Sequence, residues 1–313
     1  MPAFLIRRFL ALLLTLWAAS VVVFVVLEIL PGDPALVMAG MDASPESVEA
    51  LSRNLGLDRP PLERYLGFVG GFFTGDLGLS HAYRVPVADL VAERLPITLP
   101  LAGLALLIAV AIALPVGLYA ATHHGRRGDT LVMGLSQVGV AIPDFWFGIL
   151  LVLLFSVLLN WFNAGGFPGW SDPLLALRAL LLPAVALGLS QASILARVTR
   201  SAALEVLQED FVRTARAKGL SRRRIVWRHV LRNALIPIST LVGLQIAFLL
   251  AGTIVIENVF FLPGIGQLVL NAIANRDLIV IQALVLLLTG MVVIVNFLVD
   301  LAQLLIDPRP RHG

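Results

Sequence analysis

The sequence predicts an all-α integral membrane protein with six transmembrane helices. Composition is the first observation: 58% of the 313 residues are hydrophobic and 14% are charged, against about a quarter charged in a soluble domain. The second is six long stretches nearly free of charge, each able to cross a hydrocarbon core of about 30 Å. The third is a bias of basic residues toward alternate connections. A soluble globular protein is excluded by these features. The formal charge is only +3, from 23 Lys+Arg against 20 Asp+Glu, too small a surplus for an electrostatic hold on nucleic acid. With no cysteine in the chain, disulfides, thiolate metal sites and cysteine nucleophiles are excluded as well.

The apolar stretches are 9–27, 97–119, 130–159, 179–196, 233–256 and 278–299. Each is too long and too uniform for a strand, and a backbone in lipid must satisfy its own hydrogen bonds, which demands helices. The first follows Arg7 and Arg8 as a signal peptide would. It exceeds a usual signal core, however, and no small-x-small cleavage pattern follows Leu30, so it reads as a retained span. The third is 30 residues long, about 45 Å as one helix, and Pro143 is expected to break or kink it. Pro115 and Pro183 fall inside the second and fourth, where neighbouring helices can satisfy the freed carbonyls. Both a packing kink and a hinge are open there.

With the N-terminus inside, sixteen basic residues lie on inner segments: Arg7, Arg8, Arg126, Arg127, ten between Arg197 and Arg232, Arg309 and Arg311. The short outer loops carry Arg178 and Arg276. Both termini are then expected in the cytoplasm. The organisation that follows is a tail and first span (1–30), an outer segment (31–96) and a five-helix core (97–313) with an inner loop at 197–235.

The outer segment holds nine acidic residues and five arginines, a net charge of −4. Ser44, Pro45 and Glu46 supply an N-cap, a proline at the first helical position and an early acid, so a helix is expected from Pro45 to Leu55, ended by Gly56. Gly70, Gly71, Gly75 and Gly78 read as a flexible passage toward a second helical stretch at 87–94. In the inner loop, Leu204, Leu207, Phe211, Thr214 and Ala215 recur at helical spacing, as do Ile225, Val226, Val230 and Leu231. Gly219 lies between the two runs and Ser221 is a good N-cap, which predicts a helix, a glycine-centred turn and a basic helix. Helices this short are marginal alone and need a partner surface. Taken by themselves, Arg222, Arg223 and Arg224 read as ordinary anchoring at lipid headgroups; the functional reading comes from their combination with the alanine-rich helix and Gly219 in one loop.

Glu28, Glu257 and Asp300 sit at the ends of spans, where solvation by boundary water and a place on a path are both open. Asp144, mid-stretch behind Pro143, is the candidate for a translocation path, with a structural polar contact as the alternative. Asn160, Trp161 and Asn163 read as interface anchors. Of His81, His123, His124, His229 and His312, only His123 and His124 are paired, and they read as loop residues rather than zinc ligands. Ser190 lacks a Gly-x-Ser-x-Gly turn and has no histidine in the spans to activate it. Lys218 is the only lysine and follows Ala217, so no phosphate-cradling loop exists. Neither a catalytic residue nor a bound metal or cofactor is expected.

At these residues the chain resembles the permease subunits of bacterial ABC importers, in the dipeptide and oligopeptide branch, and the first of the two paired permeases there. The family's inner motif opens Glu-Ala-Ala, places a glycine four residues after the last alanine, and closes Ile-x-Leu-Pro. Here Arg213, Thr214 and Ala215 stand at the opening, Gly219 is in register, and His229, Val230, Leu231 and Arg232 stand at the close. The glutamate and the proline are absent, a common departure in the peptide branch. LPGDPA at 30–35, LGLDRP at 55–60, GDLGLS at 75–80, PVADLVAERLPITL at 86–99 and ENVFFLPGIGQL at 257–268 match in order.

The resemblance implies an importer in the bacterial inner membrane, built from this chain, a second permease, two cytoplasmic ATPases that bind ATP and Mg, and an outer binding protein. Arg213, Thr214, Ala215, Ala217, Lys218, Gly219, Leu220 and Ser221 would form the ATPase-coupling element, and Asp144 and Glu257 are candidates for the path. The cargo is left open among dipeptides, oligopeptides, glutathione, haem and nickel chelates. The competing class, an ion-coupled secondary transporter, calls for inverted repeats and several ionisable groups within the spans.

Overall fold

Every regular element among the described residues is a helix. The computed structural model describes residues 2–29, 44–54 and 58–306, with side chains over 6–26, 44–50, 52–53 and 58–301. The LPGDPA stretch, Gly56, Arg309, Arg311 and the side chain of Glu28 lie outside these ranges. The helices are α1 (Pro2–Ile29), α2 (Pro45–Asn54), α3 (Pro61–Thr74), α4 (Val87–Thr122), α5 (Arg127–Ala141), α6 (Asp144–Leu151, prolonged by a π-helical turn to Leu158), α7 (Pro173–Leu207), α8 (Asp210–Ala217), α9 (Arg222–Val259), α10 (Ile265–Ala274) and α11 (Leu278–Ile306).

Five of them, α1, α4, α7, α9 and α11, are long and apolar enough to cross a membrane, and α5 with α6 makes a sixth candidate bent by 97°. These six coincide with the six apolar stretches. The break falls where expected. Pro143 has no N–H to donate and pushes Ile142 to extended backbone (φ −84°, ψ 123°), so α5 ends and α6 starts afresh.

Three expectations need correction. Gly70 and Gly71 lie inside α3 and are no flexible passage; only Gly75, at φ 81°, ends that helix. Contacts with α1 offset part of the roughly 1 kcal/mol that each helical glycine costs: Tyr65 meets Phe24 edge-on at 5.4 Å and exchanges a 2.8 Å hydrogen bond with Ser20. The stretch at 87–94 is no separate helix but the first turns of α4. A charged stretch and the apolar run behind it can share one helix, so the change in composition does not end it. For the same reason the basic helix after Ser221 is the start of α9, which runs from Arg222 to Val259 over 38 residues.

The chain divides into two units, 1–96 with 264–294, and 97–263 with 295–313. In the first, Val87, Leu90 and Val91 of α4 pack on Leu268, Val269 and Ala272 of α10 and on Val280 and Leu284 of α11. Asp277 is buried beside them and caps α11. One of its oxygens accepts from the Ser80 hydroxyl at 2.6 Å and the Ala82 N–H at 3.1 Å, and the other from the Val280 N–H at 3.3 Å. This pins the turn at 78–87, closed by Ser80 to Val85 and Val87 to Gly78 backbone bonds of 2.9 Å.

Burial lowers the pKa of His81 in that turn, and the nearby Asp277 carboxylate opposes the shift in part. A lowered imidazole value means that the unfolded turn binds the proton first. The turn should hold fully above about pH 6.5 and weaken as pH falls through the shifted value. Amide protection at 79–85, corrected for the intrinsic exchange rate, should fall on the acid side, and His81→Gln should flatten that fall; an unchanged profile in the variant would assign the effect elsewhere.

In the second unit, α4 and α7 meet through small residues, as membrane helices do when backbones must approach. A Cβ at Gly188 would lie 2.7 Å from the Ala105 carbonyl oxygen, and one at Gly117 would lie 2.6 Å from the Thr199 Cβ. Ala113, Leu195, Ala196, Ala234 and Ile238 close the layer between α4, α7 and α9.

Candidate functional site

The 197–235 loop folds as a compact hairpin on the ends of three helices. α7 stops at Leu207, and Glu209 takes extended backbone (φ −65°, ψ 145°) before α8 begins. Asp210 in the first turn of α8 and Arg216 in the last suit the helix dipole. Val212 and Ala215 are buried against Leu118, Ala121 and Ala203, together with Ile225, Val226 and Val230 of α9.

The C-terminus of α8 is a Schellman closure. Gly219 N–H bonds the Arg216 carbonyl at 2.9 Å, and Leu220 N–H reaches back to the Ala215 carbonyl at 3.3 Å. That pattern requires left-handed backbone at the residue between, and Gly219 has φ 78°. Leu220 then joins the Ala215 cluster, and Ser221 caps α9 by accepting from the Arg224 N–H at 3.4 Å.

The eight residues singled out in the sequence therefore divide. Ala215 faces the core and Leu220 is half-buried, whereas Arg213, Thr214, Ala217, Lys218, Gly219 and Ser221 are exposed. The expected apolar stripe is out of phase in its second half: Phe211 is 41% exposed and Thr214 is exposed, while Val212 is fully buried. The stripe assumed one helix from Leu204 to Ala215. The extended residue at Glu209 resets the phase, turning Phe211 outward onto the exposed face. The Arg213–Asp210 ion pair at 3.2 Å is open to solvent and adds little to the fold.

A second arrangement was missed in the sequence. Ser190, Ser193, Arg197 and Arg200 recur at i, i+3, i+7 and i+10, one face of α7, and that face meets the broken span. Ser190 lies beside Asp144, the Ser193 hydroxyl fills the space beside Gly139, and Arg197 donates to Gln137 at 3.3 Å. Arg200 grips Asp129 with two bonds of 2.5 and 2.8 Å, and the Gly125 N–H and His124 add contacts of 3.0 and 3.1 Å to the same carboxylate. Asp129 is 4% exposed. Asp144 is half-buried beside Ser190.

Glu257 does not reach boundary water. It is fully buried, and its carboxylate accepts the Thr98 hydroxyl at 2.6 Å. Its position at the end of an apolar run suggested solvation, but the chain turns back over it: the Leu262 N–H bonds the Glu257 carbonyl at 2.8 Å. Trp161 is exposed as an interface anchor would be, and its carbonyl accepts from Arg178.

Comparison with known proteins covers the whole chain. Residues 113–312 match the family described as binding-protein-dependent transport system inner membrane component, and residues 1–102 match the N-terminal part of such membrane components. A peptide transport system permease protein of Brucella abortus is 42% identical over 313 residues, all of both chains. The dipeptide transport system permease protein DppB of Escherichia coli K12 is 38% identical, over 100% of this chain and 99% of that one. The glutathione transport system permease protein GsiC of Escherichia coli is 40% identical, over 99% of each. Among solved structures, an inward-facing form of the MetNI methionine ABC transporter has the same fold, with a TM-score of 0.56 at 18% identity, covering 70% of this chain and 96% of that one.

Proposed function

Because the chain belongs to the family of binding-protein-dependent transport system inner membrane components, we propose that it is one permease of an ATP-driven importer of di- and oligopeptides. The observation that carries this reading is the end-to-end likeness to peptide and dipeptide permeases. The partners are a second permease, two cytoplasmic ATPases that hold ATP and Mg, and an outer binding protein that hands over the peptide. The setting is the bacterial inner membrane, with both termini and the 197–235 hairpin inside.

The hairpin suits the task of receiving motion. Phe211, Arg213, Thr214, Ala217 and Lys218 offer an exposed face to an ATPase groove, while Val212, Ala215 and Leu220 are seated on the ends of α4, α7 and α9. A displacement of α8 would therefore tilt the spans as a packed body and alternate the opening of the path. Asp144, half-buried at the break of the third span, is our candidate for contact with the peptide. Glu257, buried against Thr98, acts in packing.

Two measurements test this reading. Mild-detergent pull-down of the tagged chain should bring an ATPase pair and a second permease, and vesicles holding that complex should take up labelled dipeptide only with ATP. Purified chain that moved peptide on a proton gradient alone would overturn it. Asp144→Asn is nearly isosteric and removes only charge, so uptake by an assembled variant should fall at least about tenfold; undiminished uptake would take Asp144 out of the path.

A further inference from the structure

A cleft of about 440 Å³ opens where the end of α4 meets the start of α9. Its floor is apolar, from Leu118 and Val226, its walls are the rings of Tyr119 and Trp227, and its rim is cationic, from Arg222 and Arg223. No acidic side chain lines it. The two rings are 48% and 51% exposed, polar tips on apolar bodies of the kind that settle at a membrane boundary. Arg222 is oriented by donating to the Thr122 carbonyl, the last residue of α4.

The cleft does not stop at the boundary. Leu107, Ala111, Pro115 and Tyr119, at i+4 spacing, are all exposed on α4, an apolar stripe of about 18 Å that runs from the cationic mouth toward mid-bilayer. That length suits one acyl chain in one leaflet of a core about 30 Å thick. We propose that this is a binding site for a single anionic phospholipid, its phosphodiester held by Arg222 and Arg223 between the Tyr119 and Trp227 rings and its chain laid along α4. A water-borne protein surface would match the arginines but leave the stripe uncovered. The site depends on the chain crossing a membrane and not on what it carries, so it stands or falls apart from peptide import.

The test uses the full chain purified in mild detergent, stripped of lipid, then offered phosphatidylglycerol or phosphatidylcholine, with retained lipid counted by native mass spectrometry. Phosphatidylglycerol should be retained in preference, and R222Q/R223Q should weaken its retention about thirtyfold. Trp227→Ala, which leaves the charges in place, should weaken it severalfold and guards against a double variant that fails to fold. Equal retention of the two lipids, or retention untouched by all three substitutions, would overturn the site. Displacement of the lipid by millimolar inorganic phosphate would reassign it to a free anion. Loss of ATPase subunits from the assembled complex with lipid retention unchanged would give the arginines to the ATPase instead.

Discussion

Arg200→Met should lower the stability of the detergent-solubilised chain by about 3–5 kcal/mol, because it strands a buried carboxylate without its counter-charge. Asp129 is held by Arg200 through two oxygens and is 4% exposed, and its remaining contacts, the Gly125 N–H and His124, cannot replace a guanidinium. Asp129→Leu should cost a similar amount, by stranding the arginine. The double variant Asp129→Leu with Arg200→Met leaves neither charge buried and should recover most of the loss. Thermal unfolding followed by tryptophan fluorescence reads all three. Single variants that melt within a degree of the parent would show that water already solvates the pair.

The second large effect concerns coupling. Gly219→Val should reduce ATP-driven uptake at least about tenfold while the assembled complex still hydrolyses ATP, since a β-branched residue in left-handed backbone is strained by about 1–3 kcal/mol. Nothing lies within 4 Å of a Cβ built at Gly219, so within this chain the defect would be one of conformation alone. Gly219→Asn separates the alternatives: asparagine tolerates left-handed backbone, so uptake should return toward the parent level. If Gly219→Asn were as damaged as Gly219→Val, a partner surface would be touching that position. Normal uptake by Gly219→Val would remove the hairpin from the coupling route.

What the sequence made legible follows from which forces act locally. Hydrocarbon length and the cost of buried charge located the five long apolar helices and the bent pair that makes a sixth candidate span, and the missing N–H of Pro143 located the break in that pair. The hairpin was readable because Gly219 and Ser221 act on their own neighbours. Phe211 was assigned to the wrong face because helical periodicity carries phase only while a helix continues, and a single extended residue at Glu209 ended it. Contacts between distant residues left no local trace: Ser80 with Asp277 and Thr98 with Glu257 are 197 and 159 positions apart. The polar face of α7 is the exception, since Ser190, Ser193, Arg197 and Arg200 show their helical spacing in the sequence and needed only to be sought among polar residues.

The right-angled break at Pro143 also bears on how the chain enters the membrane during synthesis. α5 has 15 residues, about 22 Å of helix, and the segment from Asp144 to Leu158 is of the same size, so neither half crosses a core of about 30 Å by itself. A nascent chain that has delivered only these halves holds no independently stable span there. Groups that hold the bent segment, Arg197 on Gln137 and Arg200 on Asp129, emerge later, on α7. Stable insertion of the bent segment is thus expected only once α7 has been made, so a chain truncated before α7 should leave 127–158 accessible to alkaline extraction.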